Sequence, residues 1–238
     1  MSSLPSFTDD TRGLRLEIIE TARALPKLGL TKGTSGNVSA RVEGGFLITP
    51  SGTPYEDLTP DKIVPLDLEG RCRGDFLPSS EWRMHLDFYL AKPDCGAVVH
   101  CHSPRATALA CLRRGIPAFH YMVALAGGDR IECADYASFG TRALSEAMIA
   151  ALGERNACLL ANHGQIAGGP NLKKALSVAE GVEDLADQYL SALSIGDPHI
   201  LDATEMKNIL QKFKSYGKQA GELTAGQTAA FELPVRVD

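Results

Sequence analysis

The chain is 238 residues long, enough to bury a substantial core as one large domain or two small ones. Hydrophobic residues make up 44% and charged residues 22%, the balance of an ordinary globular protein rather than a disordered chain. The net charge of −5 offers no basic field for nucleic acid or an acidic lipid surface, so an anionic substrate would have to be held by local donors.

Residues 8–28 have helical spacing, with Leu14, Ile18, Ala22 and Leu25 on one face and Thr8, Asp9 or Asp10 available as caps. Gly29 and Gly33 break that pattern. Strands are expected over 38–42 and 46–49, joined by the turn Glu43-Gly44-Gly45, which is a hairpin signature. Residues 50–54 form a loop, and 63–67 a further strand with a turn at Glu69-Gly70. Ser79 or Ser80 can cap a helix running to about Leu90. A short apolar strand over 97–100 is followed by a helix from Pro104 to about Arg113, proline being tolerated in its first turn. A helix over 140–152, a buried strand over 157–161, a turn at Asn162-His163-Gly164 and a returning arm over 165–168 come next. A long helix then starts at Pro170-Asn171 and ends near Leu193. No repeat or linker divides the chain, so residues 1–216 are expected to be one domain. Residues 217–238 are expected to be a loosely ordered tail on composition.

The N-terminus has neither a basic region nor an apolar segment of signal-peptide type, and no apolar stretch approaches a membrane span. The six cysteines form no C-x-x-C pair. Cys111 and Cys158 lie in apolar segments and are expected to be buried. Reduced thiols fit the cytoplasm, which is the expected compartment.

The chemistry concentrates in Val98-Val99-His100-Cys101-His102. Side chains alternate along a strand, so His100 and His102 share a face and Cys101 points away. Two imidazoles side by side make half of a zinc site. His163 ends another apolar run, and Glu81, in Ser79-Ser80-Glu81-Trp82, supplies a carboxylate. Three imidazoles with open coordination positions describe a catalytic metal rather than a structural one. Taken alone, Glu81 could equally serve a helix dipole. His85, one turn after Glu81, reads as structural, and His120 and His199 read as ordinary packing or surface residues. Three loops, 33–37, 49–53 and 78–80, are rich in glycine and hydroxyls. None is a P-loop or a dinucleotide fingerprint. Together they suit a single phosphomonoester held by neutral donors, with help from a helix start.

In this order, Gly33-Thr34-Ser35-Gly36-Asn37, Leu47-Ile48-Thr49-Pro50-Ser51-Gly52, Pro78-Ser79-Ser80-Glu81-Trp82-Arg83, His100-Cys101-His102, Pro117-Ala118-Phe119-His120-Tyr121-Met122, Tyr136-Ala137-Ser138-Phe139-Gly140 and His163-Gly164 closely resemble the class II aldolase/adducin family, over about residues 14–216. The resemblance implies an α/β fold, a three-layer α/β/α sandwich around a mainly antiparallel sheet. It also implies a homotetramer of C4 symmetry with active sites at subunit interfaces. It implies one Zn²⁺ per subunit on His100, His102 and His163, with Glu81 as a ligand of the empty site and as the proton shuttle. Tyr121 would act from a neighbouring subunit, Phe139 would line the aldehyde pocket, and Thr34, Asn37, Ser51, Gly52, Ser79 and Ser80 would hold the substrate phosphate. The activity implied is cleavage of a ketose 1-phosphate, such as L-fuculose 1-phosphate, to dihydroxyacetone phosphate and an aldehyde. The alternatives are an aldolase for 5-deoxy- or 5-methylthio-ribulose 1-phosphate, then a sugar-phosphate 4-epimerase, then a dehydratase. A metal-free, adducin-like scaffold is the non-enzymatic alternative.

Overall fold

The computed structural model describes residues 11–216 together with 219, 222, 223 and 230. Helix α1 (Arg12–Lys27) buries Ile18, Ile19, Ala22 and Leu25, the expected face. Its candidate caps at 8–10, and most of the 217–238 tail, lie outside the described residues. The hairpin forms from β1 (Asn37–Val42) and β2 (Gly45–Ile48), and β3 (Val64–Asp67) follows. Then come α2 (Trp82–Ala91), β4 (Ala97–Cys101), α3 (Pro104–Cys111), β5 (Cys133–Ala134), α4 (Arg142–Leu152), β6 (Ala157–Leu160), β7 (Gly164–Gly169), α5 (Leu172–Ile195) and α6 (Ala203–Phe213).

The strands form one sheet in the order β3-β2-β1-β4-β7-β6-β5. Every neighbouring pair is antiparallel except β5–β6, so the sheet is mixed although mainly antiparallel. Alternation along the strands sends side chains into two separate cores. Val99, Cys101, Ala167 and Leu159 meet α1, α3, α5 and α6 on one face. Val98, Ile166, Cys158 and Leu160 meet α2 and α4 on the other. Apolar positions on both faces of each central strand therefore require helices on both sides, and the three-layer α/β/α arrangement follows.

Some expectations need correction. Strand β5 is only two residues long, too short to carry a periodic signal. Helix α6 was not expected, although Asp202 accepts from Glu205 N–H as its N-cap and Met206 and Ile209 are buried at helical spacing. Neither Ser79 nor Ser80 caps α2. The N-cap is Glu81, whose carboxylate is turned away from the helix N–H groups, while Ser79 Oγ accepts from Glu81 N–H at 3.3 Å. Cys158 is buried as expected, but Cys111 is exposed because it falls on the solvent side at the end of α3.

Candidate metal centre and active site

His100 is the fourth residue of β4, and it faces the α2 side of the sheet together with Val98. His102 follows the strand, just before α3 begins at Pro104. Cys101, between them, packs into the opposite core. His163 sits in the tight β6–β7 connection. It is brought round by Asn162, whose φ of 54° is the left-handed conformation that asparagine tolerates better than most residues. Strand β7 lies beside β4, so this turn arrives next to the end of β4. The three imidazole rings form a near-equilateral triangle, with centroids 4.9, 4.9 and 4.8 Å apart and each pair edge-on. Glu81, at the start of α2, completes the group, and the four ligand atoms all lie within 4.8 Å of one another.

The polar atoms in this group face one another at close range. His100 Nδ1 lies 2.8 Å from the Gln165 carbonyl, which can only accept, so Nδ1 carries a proton and Nε2 is the nitrogen turned toward the cluster. That Nε2 is 3.1 Å from His102 Nε2 and 3.1 Å from Glu81 Oε2. Burial and the nearby His100 and His163 push His102 down to about 4, so it is neutral at physiological pH. Burial pushes Glu81 up, but His100 and His163 outweigh it and hold the carboxyl well below the usual range, ionised. Its Oε1 is buried and has no neighbour to bond with other than His163 Nε2 at 3.1 Å. Three converging imidazole nitrogens and one buried carboxylate, held together with no other partner for Oε1, are what a divalent cation would satisfy. The residues therefore fit a metal.

A cavity of about 310 Å³ opens beside Glu81, His102 and His163. Thr34, Asn37, Ser51, Gly52, Ser79 and Ser80, the six residues expected to hold phosphate, all line it, as does Phe139. Pro50 and Pro78 form an isolated bridge, Ser51 N–H donates to Leu77 O, and Ser79 N–H donates to Thr49 O, which ties two of the loops together. The third loop closes against β4 through Gly36. Its φ is +92°, and an added Cβ would lie 2.7 Å from the His100 carbonyl. Among the described residues no lysine or arginine lines this cavity, and the loops offer it hydroxyl and amide donors.

Asn37 lines the cavity, but its amide already donates from Nδ2 to Glu81 Oε2 at 3.1 Å, which leaves one N–H for a ligand. Tyr121 does not reach the site within one chain. It opens a short 3₁₀ turn, is 44% exposed, and lines a different cavity with Phe119, Phe213 and Tyr216. His120, read as ordinary packing, accepts from Met122 N–H and stacks on the Tyr121 ring. Sequence reading did not pick out Tyr136 and Asn162 as cavity residues. The only signals for them were the aromatic pair in Tyr136-Ala137-Ser138-Phe139 and an asparagine at a tight turn.

Residues 16–190 match the Class II Aldolase and Adducin N-terminal domain. The chain belongs to this family. It is 55% identical over 207 residues, covering 87% of this chain and 94% of the relative, to the 5-methylthioribulose-1-phosphate/5-deoxyribulose-1-phosphate aldolase of Rhodospirillum rubrum. It is 50% identical over 210 residues, 88% of this chain and 98% of the relative, to the L-fuculose phosphate aldolase of Escherichia coli. A solved L-fuculose 1-phosphate aldolase superposes with a TM-score of 0.83 at 40% identity, covering 90% of this chain and all (100%) of that one. The chain is thus an aldolase, a lyase of the class II type. Class II aldolases depend on a metal, and the Glu81, His100, His102 and His163 cluster is the group here that could hold one. Among the described residues no helix is long and apolar enough to cross a membrane.

Proposed function

We propose that this protein cleaves the C3–C4 bond of a ketose 1-phosphate to dihydroxyacetone phosphate and an aldehyde, with one Zn²⁺ per subunit on His100, His102 and His163. The observation that carries this reading is the convergence of three imidazoles and one carboxylate at the wall of a cavity whose remaining wall is built from hydroxyl-bearing loops. Zinc bound there supplies a Lewis acid that disperses the charge left on the substrate when the carbon–carbon bond breaks. Glu81 is a ligand in the resting site and holds or returns the proton at C3 of the dihydroxyacetone phosphate half. As a buried carboxylate at the cavity wall it can take that proton as a base and give it back as an acid. Thr34, Ser51, Ser79 and Ser80 offer hydroxyls, Gly52 its backbone and Asn37 its remaining amide N–H to the phosphate, and that remote binding fixes the reacting carbons. Phe139 packs against the aldehyde half. Tyr121 handles the proton on the C4 oxygen from a neighbouring subunit of a C4 homotetramer, a reading supported by its separation from the metal site within one chain. The compartment proposed for it is the cytoplasm.

The substrates named for the relatives, L-fuculose phosphate and 5-methylthio- or 5-deoxyribulose 1-phosphate, share a short aldehyde half with an apolar end. Tyr136, Ala137 and Phe139 beside the cavity suit that end. The 55% identity to the 5-methylthioribulose/5-deoxyribulose enzyme favours the five-carbon substrates as a second reading alongside L-fuculose 1-phosphate. A coupled assay for dihydroxyacetone phosphate, run over a panel of these ketose 1-phosphates with zinc measured in the same preparation, tests both. The highest kcat/KM names the substrate. Turnover of a ketose phosphate without dihydroxyacetone phosphate release would point to an epimerase, and protein without metal or turnover to a scaffold.

A further inference from the structure

Behind the cavity, α2 and β1 face one another in matching steps. Glu81, His85 and Tyr89 are four residues apart, about 6 Å per step along a helix, and share one face of α2. Asn37, Ser39 and Arg41 are two apart, about 6.6 Å per step along a strand, and share one face of β1. The two periods nearly coincide, so the rows meet residue by residue. Asn37 Nδ2 lies 3.1 Å from Glu81 Oε2, and Asn37 Oδ1 lies 2.5 Å from His85 Nε2. Ser39 Oγ lies 2.6 Å from His85 Nδ1 and 2.7 Å from Tyr89 OH. Arg41 closes the row, with its guanidinium over the Tyr89 ring and donating to the Tyr89 carbonyl. His85 and Ser39 are completely buried, at 0% exposure.

One charge sets the direction of every proton in this row. An ionised Glu81 can only accept, so Asn37 must turn its NH₂ toward it and its carbonyl toward His85. His85 must then donate from Nε2 and keep a lone pair on Nδ1. Ser39 must donate to that lone pair, and its oxygen receives the Tyr89 hydroxyl. The opposite His85 tautomer would leave Nε2 and Asn37 Oδ1 as two acceptors face to face. The amide would relieve this by flipping, which would put its oxygen against the Glu81 carboxylate.

We propose that His85 is a positioning residue for Glu81: as the Nε2–H tautomer it locks the Asn37 amide so that Oε2 is anchored, leaving Oε1, which Asn37 does not hold and which faces His163 at the cavity wall, as the oxygen that exchanges the substrate proton. This rests on the aldolase reading, in which Glu81 moves that proton. The row explains why a fully buried histidine stands one turn after the catalytic carboxylate, where an apolar side chain would otherwise fill the space.

The test has an arm that does not need turnover. In zinc-loaded protein labelled with ¹⁵N-histidine, NMR should show His85 protonated at Nε2 and bare at Nδ1; protonation at Nδ1 overturns the proposal. The kinetic arm compares His85→Gln with His85→Asn. A glutamine amide reaches the Nε2 position and can donate to Asn37, whereas an asparagine amide reaches only toward Ser39. At saturating dihydroxyacetone phosphate, His85→Asn should slow exchange of its C3 hydrogen with solvent deuterium by about 10- to 100-fold with zinc content unchanged. His85→Gln should recover most of that loss. Equal losses in both variants that follow their thermal stability, or no loss in either, overturn the proposal. Wild-type protein that exchanges no C3 hydrogen defeats the aldolase reading and with it the catalytic half of this one, while the tautomer decides the hydrogen-bonded row by itself.

Discussion

His100 Nδ1 donates to the backbone carbonyl of Gln165 across the β4–β7 pair at 2.8 Å. The same Gln165 is pinned by its own side chain, whose Nε2 donates to Ser103 Oγ at 2.7 Å and to the Ala179 carbonyl at 3.0 Å. His100 Nε2 is therefore aimed by the sheet before any cation arrives. Such a site should bind zinc tightly and gain stability from it. Chelation should abolish aldol cleavage and lower the melting temperature. A ligand at a hundredfold excess over its Kd adds about 2.7 kcal/mol to the folded state. His102→Ala should lose metal and activity together, as read by elemental analysis and by dihydroxyacetone phosphate release. Full activity in a metal-free sample would contradict the mechanism.

Glu81→Gln separates holding a metal from moving a proton. The glutamine keeps an oxygen that can accept from Asn37 Nδ2, and the three imidazoles are untouched. Zinc should stay near one equivalent per chain while kcat falls by about 10²- to 10⁴-fold, the usual worth of a positioned acid–base group. A variant that lost its zinc in proportion to its activity would make Glu81 a ligand and nothing more.

Much of this site could be read from local patterns, and what could not was tertiary. Strand alternation was enough to put His100 and His102 on one face and Cys101 in the other core. The three hydroxyl loops were visible as turns, but their meeting depends on β1 lying beside β4 and on the Pro50–Pro78 bridge, which no local signal encodes. Glu81 carried two readings at a helix start, and the choice was made by burial: its carboxylate faces imidazoles rather than the α2 N–H groups. The spacing of Glu81, His85 and Tyr89 was plain in the sequence, and so was that of Asn37 and Ser39. The sequence does not reveal that these two rows face each other, so His85 reads there as an isolated structural residue. Helix α6 was missed although Asp202, Met206 and Ile209 carried a cap and an apolar stripe.

Gly164 marks where the sheet has no room to spare. An added Cβ would lie 2.5 Å from the Cys101 carbonyl and 3.0 Å from the His102 ring. Gly164→Ala should therefore destabilise the fold by about 1–3 kcal/mol through overpacking, and it should also weaken zinc binding by displacing His102. Thermal denaturation with and without zinc checks both. The metal-free and zinc-bound melting temperatures should both fall, with the larger drop in the zinc-bound form.

Ser51→Ala probes the phosphate pocket away from the metal. Its backbone N–H is committed to Leu77 O, so the hydroxyl is the part it can offer a ligand. A hydrogen bond to a charged group contributes about 1.5–3 kcal/mol, so kcat/KM for a ketose 1-phosphate should fall roughly 10- to 100-fold. The same substitution should leave the slow cleavage of the unphosphorylated ketose unchanged. An equal loss on both substrates would mean that Ser51 does not touch the phosphate.

Tyr121 decides whether one chain is a complete enzyme. It stands 44% exposed on a 3₁₀ turn, beside a cavity separate from the one that holds Glu81. If it serves the site of a neighbouring subunit, Tyr121→Phe should keep zinc and lower kcat, because a phenol can exchange a proton with an alkoxide oxygen and a phenyl ring cannot. The decisive measurement mixes two inactive proteins. Tyr121→Phe supplies an intact metal site, and His102→Ala supplies an intact tyrosine. After dissociation and reassembly together, some interfaces should pair a working metal site with a working phenol, and dihydroxyacetone phosphate release should return to a fraction of the wild-type rate. If assemblies shown by mass spectrometry to contain both chains stay inactive, Tyr121 does not act across a subunit boundary.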